Sequence, residues 1–98
     1  MFLKIHKTYR DVVAVCDSEL VGKKFEENNF QLNVKESFYK GEKTTSEKAT
    51  KLMQKLSEQD ATFNIVGEKS VKCALNAGII SKKGIKKIQG IPFALVLV

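Results

Sequence analysis

Apolar and polar positions alternate along the chain in short strand-like segments, broken by two stretches of helical spacing. Residues 61–80 organise the pattern. Ala61, Phe63 and Ile65 alternate with Thr62, Asn64 and Val66, the period of two of a strand with one face buried. Gly67 interrupts the alternation where the backbone needs freedom. Val71, Ala74 and Leu75 then recur at helical spacing. Glu68 or Ser70 can open that helix, and an acidic group suits its positive end. Gly78 is placed to end it in the left-handed conformation, with Ile79 and Ile80 folding back onto the last turn. Gly67 also admits a reading as a phosphate-cradling turn at a helix start. One glycine falls far short of the glycine-rich phosphate motifs, so plain turn geometry is expected.

The rest of the chain reads in the same terms. Residues 2–8 predict a strand with Leu3 and Ile5 toward the core and Lys4, His6 and Thr8 on the other face. Tyr9, Arg10 and Asp11 form a turn. The unbroken apolar run of residues 12–16 predicts a strand covered on both sides, giving a first hairpin. Asp17 and Ser18 are cap-type residues and predict one helical turn over residues 18–20. Gly22 redirects the chain into a charged run, residues 23–27, and Asn28 and Asn29 make a turn. Phe30, Leu32 and Val34 alternate with polar residues and predict a half-buried strand. Phe38 and Tyr39 fall in a loop ended by Gly41; packing beneath that loop is expected over stacking on bases. Thr44 and Glu47 have capping-box spacing. Ala49, Leu52, Met53 and Leu56 then give the stripe of the main helix, residues 45–59. Residues 88–91 predict a hairpin turn and Pro92 a first strand residue. Residues 93–98 are wholly apolar, so that last strand is expected inside the sheet or beneath a partner. The fold class expected is α+β: a single domain, residues 1–98, with a mixed, mostly antiparallel sheet of five or six strands and two packed helices, residues 45–59 and 70–77.

Composition narrows the function classes. A chain of 98 residues has room for one core, and an apolar fraction of 43% is that of a globular protein. The apolar runs are shorter than the ~20 residues a membrane helix needs. No charged-then-apolar leader opens the chain. Two cysteines, Cys16 and Cys73, make no disulfide framework, and a cytoplasmic location is expected. The net charge of +6 favours anionic partners such as RNA, DNA or acidic proteins, against the plain alternative of lysines kept for solubility.

The most basic stretch holds Lys82, Lys83, Lys86 and Lys87, two pairs on either side of Gly84. Lysines are point charges that fit phosphates without reading sequence. Lys23, Lys24, Lys69 and Lys72 extend this candidate anion- and RNA-binding surface if the fold gathers them on one face. An enzyme would have to use Cys16, Asp17 and His6. A neighbouring carboxylate does not lower a thiol pKa, so Cys16 reads as a buried structural residue. His6 shares the polar face with Lys4, and no partner base is evident. His6, Cys16 and Cys73 lack the spacing and the fourth ligand of a zinc site. No catalytic residue, metal or cofactor is expected.

Three segments carry a family resemblance: VAVCDSELVGKKF (residues 13–25), NIVGEKSVKCALNAGII (residues 64–80) and IQGIP (residues 88–92). As a set, and in this order, they resemble the archaeal family known as domain of unknown function 424, over nearly the whole chain. The resemblance implies an archaeal cytoplasmic source, no established activity and a link to translation, near whose genes some members lie. Members often carry a histidine directly after the proline. Phe93 stands there in this chain, which argues against a catalytic or metal role at that position. The function expected is a small basic RNA- or ribosome-associated protein, possible partners also including a translation-related protein. The alternative is a protein-interaction module docking through a sheet edge or the C-terminal strand.

Overall fold

The apolar run of residues 12–16 is buried on both sides because the chain covers each face of the sheet that contains it. The computed structural model describes residues 1–97. Its elements are β1 (Phe2–His6), β2 (Val12–Cys16), β3 (Lys24–Glu27), β4 (Phe30–Asn33), α1 (Glu36–Tyr39), β5 (Glu42–Lys43), α2 (Ser46–Glu58), β6 (Thr62–Val66), α3 (Glu68–Ala77), β7 (Lys86–Ile88) and β8 (Ile91–Val96). Short 3-10 turns occupy Ser18–Leu20 and Lys82–Gly84. Six strands form the main sheet in the order β5-β1-β2-β6-β8-β7, and β3 and β4 pair separately. All neighbours are antiparallel except β2 and β6, which run parallel from Val12↔Thr62 to Cys16↔Val66. The fold is the α+β class expected.

Strand alternation assigns the two cores. Leu3, Val13, Val15, Phe63 and Ile65 face α2 and α3, where Ala49, Met53, Leu56, Val71 and Ala74 meet them. Ala14, Cys16 and Val66 face the other way, onto Leu20, Val34 and Tyr39. Burying each of the large side chains among these contributes about 1.5–3 kcal/mol. The chain leaves β2 toward this second face and leaves β6, its parallel neighbour, toward the helix face.

Several expectations are corrected in detail. The charged run is strand β3, whose Phe25 and Leu32 of β4 turn inward together while Lys24 and Glu26 stay exposed. Phe30, expected half-buried, sits at the hairpin tip and is 71% exposed. Phe38 and Tyr39 lie on the short helix α1, with Tyr39 buried. Glu42 and Lys43 pair with β1 as an edge strand that carries no periodic signal because it has only two residues. Thr45, not Thr44, caps α2 by accepting from the Lys48 N–H at 3.2 Å, and Glu47 pairs with Lys51 instead of closing a capping box. The second helix starts at Glu68, earlier than residue 70. Gly78 does end it, at φ +76°, and Ile79 donates back to the Ala74 carbonyl at 3.2 Å. β8 is interior, between β6 and β7. Leu95 and Leu97 are nonetheless exposed, and Val98, the last residue of the expected strand, lies outside the described residues.

Candidate functional site

The basic stretch is held at the sheet's outer edge by apolar anchors. Ile85 packs against the helix-face core, and Ile88 is buried. Gln89 and Gly90, both at positive φ, turn the chain from β7 into β8, the geometry of a tight hairpin. That turn is clasped by the β3–β4 hairpin: the Gln89 N–H donates to Glu27 Oε1 at 2.8 Å, and its amide donates to the Glu26 carbonyl at 2.7 Å. Between these anchors Lys82, Lys83, Lys86 and Lys87 are all exposed. Among the described residues none of the four has a carboxylate within 4.0 Å. Gly84, between the two lysine pairs, lies inside the 3-10 turn without a positive φ. Lys86 pairs with Phe93 and Lys87 with Pro92, so the two side chains leave opposite faces of the edge.

The eight candidate lysines divide into two groups. Lys23 and Lys24 stand at the base of the hairpin whose strands β3 and β4 adjoin β7, on the β7 side of the molecule. Lys69 and Lys72 do not. They line a cleft between α2 and α3 together with Lys51. That cleft is on the far side of α3 from β7, since α2 lies over β1 and β5, where Leu52 meets Leu3, Ile5 and Glu42.

A second assembly lies where β2 and β6 end. Asp17, 3% exposed, accepts the Lys69 N–H at 3.0 Å through Oδ2. Its Oδ1 accepts the Ser70 N–H at 2.8 Å and the Ser70 hydroxyl at 2.7 Å. Its own N–H donates to the Val66 carbonyl at 3.1 Å, and the Gly67 N–H donates to the Pro92 carbonyl at 2.8 Å. Gly67 has φ +107°, and a Cβ there would overlap the carboxylate carbon of Asp17. The glycine is required by both the conformation and the close approach. Glu68 and Ser70 therefore do not cap α3 with their own side chains; a carboxylate from another strand does. The phosphate-cradle reading of Gly67 fails for the same reason, because the free amides of this helix start already hold an anion. No local signal marks that pairing, since its partners are 52 and 53 residues apart.

The residues an enzyme would use are engaged structurally. Cys16 is fully buried, and its thiol is pushed up to about 12 by burial, then by Asp17 and Glu19. His6 donates from Nε2 to the Phe38 carbonyl at 2.9 Å and stacks on that ring, centroids 4.5 Å apart. Lys4 donates to the Ser37 carbonyl at 2.7 Å, so the polar face of β1 serves to seat α1. Among the described residues no cluster of histidine, cysteine, aspartate or glutamate has the makings of a metal site.

These features define a small α+β protein with a mixed sheet, α2 and α3 on one face and a clasping hairpin with the short α1 on the other. The chain belongs to the family described as Protein of unknown function (DUF424), whose model matches residues 5–98. It is similar to an uncharacterized conserved protein from Methanopyrus kandleri known from a crystal structure. The two are 25% identical with a TM-score of 0.86, over 97% of this chain and 88% of that one. No curated protein matches. The three sequence segments noted above converge at the strand ends, where Asp17, Leu20, Gly67, Lys69, Ile91 and Pro92 share the lining of one hollow. No helix among the described residues is long and apolar enough to cross a membrane.

Proposed function

We propose that this protein binds RNA through its phosphates, as a small ribosome- or translation-associated protein of the cytoplasm, and that the β7 edge is the contact surface. The observation that carries this reading is the set of four exposed lysines, Lys82, Lys83, Lys86 and Lys87, without a carboxylate partner among the described residues and held on a short turn and an edge strand. Lys23 and Lys24 on the adjoining hairpin extend it. Because Lys86 and Lys87 leave opposite faces, the edge suits a backbone that passes over it, meeting each lysine as a point charge. Sequence-blind binding with a steep salt dependence follows.

Docking of a partner strand is less well supported. β8 already pairs on both sides. Lysines on an edge strand such as β7 discourage strand addition. An enzymatic reading has no accessible nucleophile in Cys16.

Changing Lys82, Lys83, Lys86 and Lys87 together to alanine should weaken binding to single-stranded RNA of any sequence. The log–log salt slope should fall by ~0.7 for each phosphate that the variant no longer neutralises. The control is the quadruple alanine change at Lys40, Lys48, Lys51 and Lys55. Equal losses from both sets would mean a diffuse field and no site. Absence of RNA and ribosome binding at low salt would overturn the reading.

A further inference from the structure

Among the described residues, the cleft between α2 and α3 is lined by more lysines than carboxylates. It has a volume of about 630 Å³, within the ~300–1,000 Å³ of small-molecule sites. Its charged lining is Lys51 from α2, Lys69 and Lys72 from α3, and the single carboxylate of Glu47. Glu47 is 3.5 Å from Lys51. Lys69 and Lys72 have no carboxylate within 4.0 Å among the described residues.

The helices add to this field. Cys73 Sγ donates to the Ser46 carbonyl at 3.6 Å and the Gln54 amide to the Ala77 carbonyl at 3.5 Å, so α2 and α3 run in the same direction. Their positive ends therefore lie toward the same end of the cleft. Lys69 is in the first turn of α3 and Lys72 one turn on, on the same face, where cations are disfavoured by the dipole and by each other. Asp17 satisfies the backbone of that helix start from the sheet side and leaves the lysine side chains unpaired. Three lysines against one glutamate give the lining residues a formal charge of about +2, which matches the about −1.5 to −2 of a phosphate monoester. The amides of Gln54 and Asn76 also line the cleft and supply polar contacts for an organic group.

We propose that this cleft is a binding site for a small phosphate monoester, with Lys69 and Lys72 holding the phosphoryl group and Lys51 completing the charge. The site is separate from the β7 edge and does not depend on the RNA reading. The test is a titration of the isotope-labelled full chain with uridine monophosphate, followed by backbone amide shifts. The expected result is saturable binding below about 1 mM that moves amides of residues 46–54 and 69–76. Inorganic phosphate should move the same amides more weakly, and uridine should move none.

The double change Lys69→Ala/Lys72→Ala should weaken binding by at least about tenfold, a difference of ~1.4 kcal/mol. The double change to arginine should retain it, and the alanine set at Lys82, Lys83, Lys86 and Lys87 should leave it intact. Shifts centred on residues 82–88, or equal losses from both alanine sets, would overturn the proposal. So would a lack of binding at millimolar ligand. An oligouridylate without terminal phosphates that fills the cleft as tightly would also overturn it, by making an RNA diester the ligand. Loss of RNA binding alone leaves this site standing, so the two readings fail separately.

Discussion

Replacing Asp17 by alanine removes the acceptor of the Lys69 and Ser70 N–H groups and of the Ser70 hydroxyl, all at the covered start of α3. The expected cost is about 2–3 kcal/mol, from a missing cap and from charge-assisted bonds, measured by denaturant unfolding. Gly67→Ala should cost at least about 2 kcal/mol, because it strains a positive φ and drives a Cβ into the same carboxylate. Combined, the two changes should fall short of additivity by about 1 kcal/mol, since alanine at position 17 removes the atoms the new Cβ would strike. Strict additivity would mean that Gly67 is needed for its φ alone. Two neighbouring groups set an alkaline limit. The Cys16 thiol rises from 9.0 to about 12 through burial, with Asp17 and Glu19 adding to it. The Tyr39 hydroxyl rises from 10.0 to about 12 through burial and Cys16. Both are neutral when protonated, and the folded state holds the proton more tightly than the unfolded chain. Their contribution is therefore complete below about pH 9 and disappears as pH climbs from there to about 12. The unfolding midpoint should fall across that window, and the double change Cys16→Ala/Tyr39→Phe should flatten the fall relative to its own neutral value. Neither cysteine should react with an alkylating agent until the chain unfolds, as both are buried.

At the scale of elements, what is legible in the sequence is what repeats. The stripe of α2, the alternation of β6, the double burial of β2 and the glycine end of α3 all follow from side-chain period and backbone freedom. Elements too short for a period are not legible: β5 has two residues and α1 four. β3 is hidden because its outward residues are charged and only Phe25 marks the inward face. β4 is legible as a strand but its burial is not, because alternation shows that a face exists without showing what covers its far end. The lysine cluster is visible as composition. Its division by α3 is not, because that depends on which side of the helix α2 packs. β8 offers the test at this scale. It pairs with β6 from Phe63↔Val96 to Val66↔Phe93 and with β7 from Lys86↔Phe93 to Ile88↔Ile91. Deleting residues 93–98 removes the whole β6–β8 ladder and the Lys86↔Phe93 pair of the β7–β8 ladder, and the shortened chain should show no cooperative unfolding transition. A shortened protein that stays folded but no longer holds a dimer or a partner would recast the strand as a docking surface.

For the molecule as a whole, the sheet divides the labour. One face carries the two parallel helices and their charged cleft, the other the hairpin and α1, and the lysine edge lies where β7 meets the hairpin. The cap on α3 also has a consequence in time. Its acceptor, Asp17, is made early, while the amides it holds belong to residues 69 and 70. When the chain is synthesised from its N-terminus, the β1–β2 hairpin must wait, one face of β2 still uncovered, until β6 emerges and pairs beside it. Only then does a helix start with no side-chain cap of its own acquire one. An excised peptide of residues 61–80 should therefore show little helix by circular dichroism in water, being both short and uncapped. In the whole chain, helix formation at α3 and closure of the β2–β6 pair should be a single kinetic event, slowed by the long loop that must close first.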